Sequence, residues 1–449
     1  MKNLFATAGA ALIAVGCTGL KVADEVYFDA RLDLPPFVAV PAPTPVDPAI
    51  KTPQTSALFE RRVDPKSGVP FYVLKTKLLA YNQQSVYFTH KSMTDDGRFI
   101  VFWCSDDEFE GPGERVKGGK GERGKAKRRK SKWLGLVDFK TDQLHSYEDC
   151  HPWIPFLDTK TDVMYYVTDD GFFRRDLLVD PAKEIKICDL PAALKAEGRK
   201  IKMICTHLTL TADRTHAFLE SRVDDKFVQG MVDLRDGSYE KWGEADIFIN
   251  HGQINPVDDT LALCAFEGHW KDAKGVQHDI PRPTKENPNV VYPRLQLLGK
   301  GWRRMIPSKK TNYATHERWD EQGEGFYWCS GGVYYHDLAT GRQTQISPVG
   351  THAMMSADRR YVVSDHSVNG WWRGSAWETH FWNRETGKGV KMNSFIERYT
   401  PRERPSKLHP DPHPQFVCCD RYMIWTLNSP DSHMDLAIAA TDEVAAFTK

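Results

Sequence analysis

Apolar residues along this chain fall in short runs, alternating or continuous, each closed by a cluster of Asp, Gly, Thr or Asn. Almost no stretch carries the three-to-four-residue period of a helix. Tyr87-Phe88-Thr89-His90 leads through Thr94-Asp95-Asp96-Gly97-Arg98 to Phe99-Ile100-Val101-Phe102-Trp103: a strand, a polar turn and a strand. The phrase returns. Thr206-His207 leads to Thr211-Ala212-Asp213-Arg214, His251 to Asn255-Pro256-Val257-Asp258-Asp259, Thr315-His316 to Asp320-Glu321-Gln322-Gly323, and Thr351-His352 to Ser356-Ala357-Asp358-Arg359. His413 leads to Cys419-Asp420-Arg421, and a weaker copy runs from His151 to Leu157-Asp158-Thr159-Lys160.

A second punctuation follows most copies: Val137-Asp138-Phe139-Lys140-Thr141-Asp142, Val232-Asp233-Leu234-Arg235-Asp236-Gly237, His336-Asp337-Leu338-Ala339-Thr340-Gly341 and Trp382-Asn383-Arg384-Glu385-Thr386-Gly387. Each reads as the tight turn of an outer hairpin, with Asp or Gly tolerating positive φ. Four strands per copy and seven copies predict an all-β chain folded as a seven-bladed β-propeller, with six or eight blades as the neighbouring possibilities.

The 449 residues suffice for such a domain, and 41% hydrophobic with 27% charged residues is a globular profile. Sixty Lys+Arg balance sixty Asp+Glu, so the chain as a whole is not a generic nucleic-acid binder. The exception is local: residues 115–132 hold ten Lys/Arg, one Glu and four Gly, either a grip on a polyanion or a solvated surface loop. The cysteines are scattered with no CxxC, which excludes a zinc ribbon and demands no disulfide framework.

In each copy a His stands a few residues before the turn, at the start of an innermost strand. His90, His151, His207, His251, His316, His352 and His413 are therefore expected to ring one mouth of the channel. The densest site is Leu408-His409-Pro410-Asp411-Pro412-His413-Pro414. Its prolines forbid helix and impose extended backbone, so alternation puts His409, Asp411 and His413 on one face. With His316 arriving from another blade, they form an N/O donor set for a divalent metal; a rigid Pro-rich turn with solvent-facing His is the plainer reading. GxSxG, Walker and HExxH signatures are all absent from the sequence.

His251-Gly252-Gln253-Ile254-Asn255-Pro256-Val257-Asp258-Asp259-Thr260, continuing to Phe266-Glu267-Gly268-His269, resembles a segment of the oligogalacturonate lyases. Thr315-His316-Glu317-Arg318-Trp319, Thr351-His352-Ala353-Met354-Met355-Ser356 and Asp411-Pro412-His413-Pro414-Gln415-Phe416 are similar to further motifs of that family. Val63-Asp64-Pro65-Lys66-Ser67-Gly68 and Tyr87-Phe88-Thr89-His90-Lys91 fit its opening. The resemblance spans roughly residues 58 to 440 in conserved order of motifs. It implies a seven-bladed propeller that cleaves uronate oligosaccharides by metal-assisted β-elimination, an acidic oligosaccharide as partner, and Mn²⁺ as cofactor, with Zn²⁺ or Ca²⁺ as alternatives. It further implies His251 as catalytic base and His316 and His413 among the metal ligands. Asp411 stands where the family has His, the family's metal-binding Gln falls near Leu408, and His409 is extra. The family's catalytic Arg falls at Val228, which leaves Lys226 as the nearest cation to protonate the leaving group and Arg222 less well placed. His90, His207, His352 and Arg222 are then expected to contact substrate. A non-catalytic carbohydrate- or protein-binding propeller of the cell envelope, or an envelope scaffold, is the alternative.

Residues 1–17 carry an early Lys, the apolar run Leu4 to Val15 and then Gly16-Cys17, the parts of a secretory signal, too short to span a membrane. Cys17 after Ala14-Val15-Gly16 resembles a bacterial lipoprotein cleavage site; an ordinary signal with Cys17 discarded is the alternative. A Pro-rich linker over 18–57 and a propeller over 58–449 complete the expected organisation, which puts the protein in the periplasm or on the outer membrane, held by a lipid. Cys17→Ser is expected to release it from the membrane fraction, as immunoblots of fractionated cells would show; unchanged association would contradict the anchor.

Overall fold

Each sequence copy forms one antiparallel sheet, and seven sheets close a ring. The computed structural model describes residues 35–40, 46–75, 77–105, 132–147, 155–245, 247–271, 277–279, 294–306, 314–368, 377–396, 411–428 and 433–449. Blade 1 begins at Asn82–Ser85, blade 2 at Phe156–Asp158, blade 3 at Ile201–Met203, blade 4 at Ile247–Ile254, blade 5 at Thr315–Trp319 and blade 6 at Ala353–Met355. Blade 7 is spliced from both ends of the chain: Gln415–Val417, Tyr422–Asn428 and Met434–Ala440 continue into Pro70–Leu74 and Phe59–Val63. The closing register pairs Tyr72 with Ile438 and Val73 with Ala437. The outer hairpins turn as their sequences predict, with φ of 55° at Asp142, 75° at Gly237, and 68° at both Gly341 and Gly387.

The interior consists of seven separate cores, each between two neighbouring blades. On Phe99–Ser105, the side chains of Ile100, Phe102 and Cys104 enter the core shared with blade 7, whereas Phe99, Val101 and Trp103 enter the core shared with blade 2. Successive side chains of a strand point to opposite faces, so a strand covered on both sides must be apolar throughout. This explains why second strands such as Phe99–Ser105 and Gly325–Cys329 read as nearly continuous hydrophobic runs.

A belt of hydrogen bonds at the first hairpin turns crosses every blade boundary. Asp95 N–H donates to Thr159 O at 2.8 Å, Arg214 to Asp158, and Ile254 N–H to the Thr209 hydroxyl at 3.0 Å. Asn255 donates to Gly323 O, Gln322 to Ala357 O, Ala357 N–H to Asp420, and Arg421 to Asp95 O, which returns to blade 1.

Part of the expected linker packs against this body. Ile50 joins the core between blades 7 and 1, Asp142 receives Lys51, Ser56 and Ala57, and Val38 N–H donates to Asp358 O. These contacts lie at the face of the first and third hairpin turns.

Asp64 ties the spliced blade to its neighbour. Its carboxylate accepts Ser394 N–H at 2.6 Å and the Ser394 hydroxyl at 2.8 Å from blade 6, besides N–H groups of Lys66 and Ser67. Burial alone would raise its pKa, but these hydrogen bonds outweigh burial and hold it below the ordinary value. A depressed folded pKa means stability that is present above the unfolded pKa and lost as pH falls through the folded one. Asp64→Ala is expected to cost about 2–3 kcal/mol at neutral pH. The check is the urea midpoint at unchanged slope, with the deficit shrinking in acid.

Candidate active site and metal centre

The innermost strands of a propeller face the channel, and here they carry polar side chains: Asn82, Gln83, Gln84 and Ser85 are all buried. The histidines gather here, but not all at strand starts as the sequence predicts: His316, His352 and His413 stand at or just before one, His251 lies within Ile247–Ile254, and His90 and His207 follow Asn82–Ser85 and Ile201–Met203. Three of them, His251, His316 and His413, have φ of 55°, 55° and 49°. This left-handed conformation costs a non-glycine residue on the order of 1–3 kcal/mol and persists only where the surroundings impose it. His251 and His316 sit at register shifts, between Asn250 and Gln253 and between Thr315 and Arg318, where a bulge re-aims a side chain.

His352, Asp411 and His413 form one cluster, fully buried, with candidate ligand atoms all within 4.8 Å of one another. Asp411 Oδ2 lies 3.7 Å from His352 Nε2 and 3.9 Å from His413 Nε2. Tetrahedral ligands about 2.2 Å from an ion would stand about 3.6 Å apart, so two imidazoles and a carboxylate fit a divalent cation with little movement. Asp365 orients the group. It approaches His352 Nδ1 at 2.9 Å, accepts the His352 N–H at 2.8 Å, and accepts the His413 N–H at 3.0 Å. With its Nδ1 turned to a carboxylate, His352 presents Nε2 to the cluster. His316 stands beside it, ring centroids 3.9 Å apart, with its own Nδ1 2.5 Å from Thr351 O.

On the other side of the ring, His251, His207 and His90 follow one another at centroid distances of 4.9 and 5.7 Å. Burial, helped by Arg318, lowers His90 to about 4, and burial with His251 and His90 nearby lowers His207 well below its ordinary value; both are neutral at pH 7. His251 Nδ1 lies 3.3 Å from Glu317 Oε1, a carboxylate with no solvent exposure. Tyr87 links the two groups, its ring 5.0 Å from His207, 6.3 Å from His251 and 4.6 Å from His413. Towards the first hairpin turns the channel carries charge, where Glu321 bridges Lys91 and Arg318 at 3.2 Å each.

The structure thus brings together His316, His352, Asp411 and His413, and separately His90, His207 and His251. His352, which the sequence places among substrate contacts, lies in the cluster itself. His409 and His151 fall outside the described residues. Lys226 is exposed where the second strand of blade 3 turns into the third, and its neighbour Phe227 packs 5.0 Å from Phe248, three positions before His251. Arg222 lies at the same hairpin end, 3.7 Å from Asp225. Sequence reading missed Asp365, Glu317, Glu220 and Tyr87. Only Glu220 and Asp365 carried even a weak local signal, an acidic residue following the apolar runs Ala217-Phe218-Leu219 and Tyr361-Val362-Val363.

No protein-family model and no curated protein matches this sequence. Among solved structures, an oligogalacturonate lyase in complex with manganese superposes with a TM-score of 0.59 at 18% identity, covering 85% of this chain and 96% of that one. An oligogalacturonate lyase from Vibrio parahaemolyticus gives a TM-score of 0.58 at 17% identity, with the same coverage. This chain has the oligogalacturonate lyase fold. The seven sheets of this chain bear out the seven-bladed architecture read from the repeats.

Elemental analysis is expected to find about one divalent ion per chain after purification, lost in His413→Ala and weakened in Asp365→Asn. Retention of the ion by His413→Ala would place the metal elsewhere.

Proposed function

We propose that the protein is a lyase that cleaves uronate oligosaccharides by β-elimination with the help of a divalent cation. The observation that carries this reading is the division of one channel mouth into a buried His-Asp-His cluster and a carboxylate-backed histidine, His251, with Tyr87 in ring contact with both. The likeness to a manganese-bound oligogalacturonate lyase supports it.

The reaction needs two things. The proton on C5 of a uronate is acidic only if the adjoining carboxylate can take up charge, and a base must stand where that proton points. A cation held by His352, Asp411 and His413, Mn²⁺ first and Zn²⁺ or Ca²⁺ as alternatives, would polarise that carboxylate. Neutral His251 takes the C5 proton on Nε2. The C5–H electron pair becomes the C4=C5 double bond, the C4–O4 bond breaks, and O4 leaves with a proton from Lys226 or from water. His90 and His207, held neutral, line the sugar path as polar neighbours without adding charge. The expected lipid anchor would put this chemistry outside the cytoplasm, on oligosaccharides that reach the envelope.

Incubation with a panel of uronate oligosaccharides, with and without chelator, tests the reading through the ultraviolet absorbance of the unsaturated product. His251→Ala is expected to lower kcat by at least about 10²-fold with metal content intact, and Lys226→Ala by less. Binding of an oligosaccharide with no unsaturated product would favour the non-catalytic binding propeller.

A further inference from the structure

Two buried carboxylates flank His251 from the blades on either side, one beside its ring and one acting through Thr206. Glu317, from the innermost strand of blade 5, places Oε1 3.3 Å from the ring at Nδ1, and its own carbonyl accepts Gln253 Nε2–H at 2.8 Å. Glu220, from the second strand of blade 3, works on the main chain. Its Oε1 accepts the Thr206 N–H at 2.6 Å and the Thr206 hydroxyl, and that hydroxyl oxygen accepts the His251 N–H at 2.8 Å. Both carboxylates have no exposure. The residue after the histidine must be glycine for this to work, because a Cβ on Gly252 would lie 2.6 Å from Glu220 Oε2 and 2.8 Å from the Phe218 ring.

We infer that Glu317 and Glu220 are positioning residues that clamp His251, one fixing the imidazole and the other the strained backbone, so that Nε2 alone faces the channel as the base. The inference rests on the lyase reading above. A carboxylate at Nδ1 selects the tautomer with its proton there, which leaves the Nε2 lone pair to accept the C5 proton. The imidazolium so formed is paired at once with Glu317, which need not itself take a proton. The Glu220–Thr206 arm supplies the constraint that the left-handed backbone requires.

Two measurements test the clamp in the full-length protein. In ring-¹⁵N-histidine NMR, with His251 assigned by its loss in His251→Ala, the wild type is expected to show the Nδ1–H tautomer, and Glu317→Gln a shift towards Nε2–H. In turnover of a cleaved uronate oligosaccharide, Glu317→Gln and Thr206→Val are each expected to lower kcat by about 10-fold or more, with KM within about threefold and metal content unchanged. A wild-type Nε2–H tautomer overturns the clamp whatever the activity, as does wild-type kcat in either variant. If Glu317→Gln does not fold, the wild-type tautomer and Thr206→Val decide. An Nδ1–H tautomer in a protein that cleaves no uronate leaves the clamp standing and removes the lyase reading.

Discussion

The pairing of Pro70–Leu74 with Met434–Ala440 is the contact on which the rest of the molecule depends. A propeller has no central core; its apolar surface is buried only between neighbours, so an open ring would leave two blade faces bare. Here the closing strand inserts Phe71 and Val73 into the core shared with blade 6, and Tyr72 and Leu74 into the core shared with blade 1. The period of two along a single strand thus seals both sides of the gap. The belt of turn-to-turn hydrogen bonds then fixes each blade against the next, which keeps the channel mouth a rigid ring of strand ends.

That rigidity is what allows unfavourable local geometry at the site. Left-handed backbone at His251, His316 and His413 opposes the intrinsic preference of these residues, and in each case a neighbouring blade supplies the restraint: Thr206 for His251, Thr351 for the ring of His316, Asp365 for His413. The same pairing of a histidine with a buried carboxylate occurs twice in the ring. Asp365 serves His352 in the cluster, and Glu317 serves His251 opposite, so one structural device supports ligand orientation on one side and base orientation on the other.

The architecture was legible because turn chemistry repeats: Asp and Gly at fixed places in each copy marked both the inner and the outer hairpins, and seven inner turns meant seven blades. The histidines were legible as polar residues interrupting apolar runs. Their partners were not, since Glu220, Glu317 and Asp365 act across blade boundaries, from strands far away in sequence, and no local period encodes that approach. Alternation put Asp411 and His413 on one face, and both enter the cluster although a positive φ at His413 interrupts the extended register that alternation assumes. The start of the body was obscured for a different reason: Pro-rich composition reads as tether, yet Ile50 in an inter-blade core and the hydrogen bonds of Val38, Lys51, Ser56 and Ala57 dock it.

Splicing blade 7 from the two chain ends has a consequence for the order in which the molecule can assemble. The pairing of Tyr72 with Ile438 and of Val73 with Ala437 joins residues more than three hundred positions apart, a late event by the entropy of so long a loop. Until it forms, Phe71 and Val73 are missing from one inter-blade core and Tyr72 and Leu74 from the next, so the two cores that flank the seam are the last to be sealed.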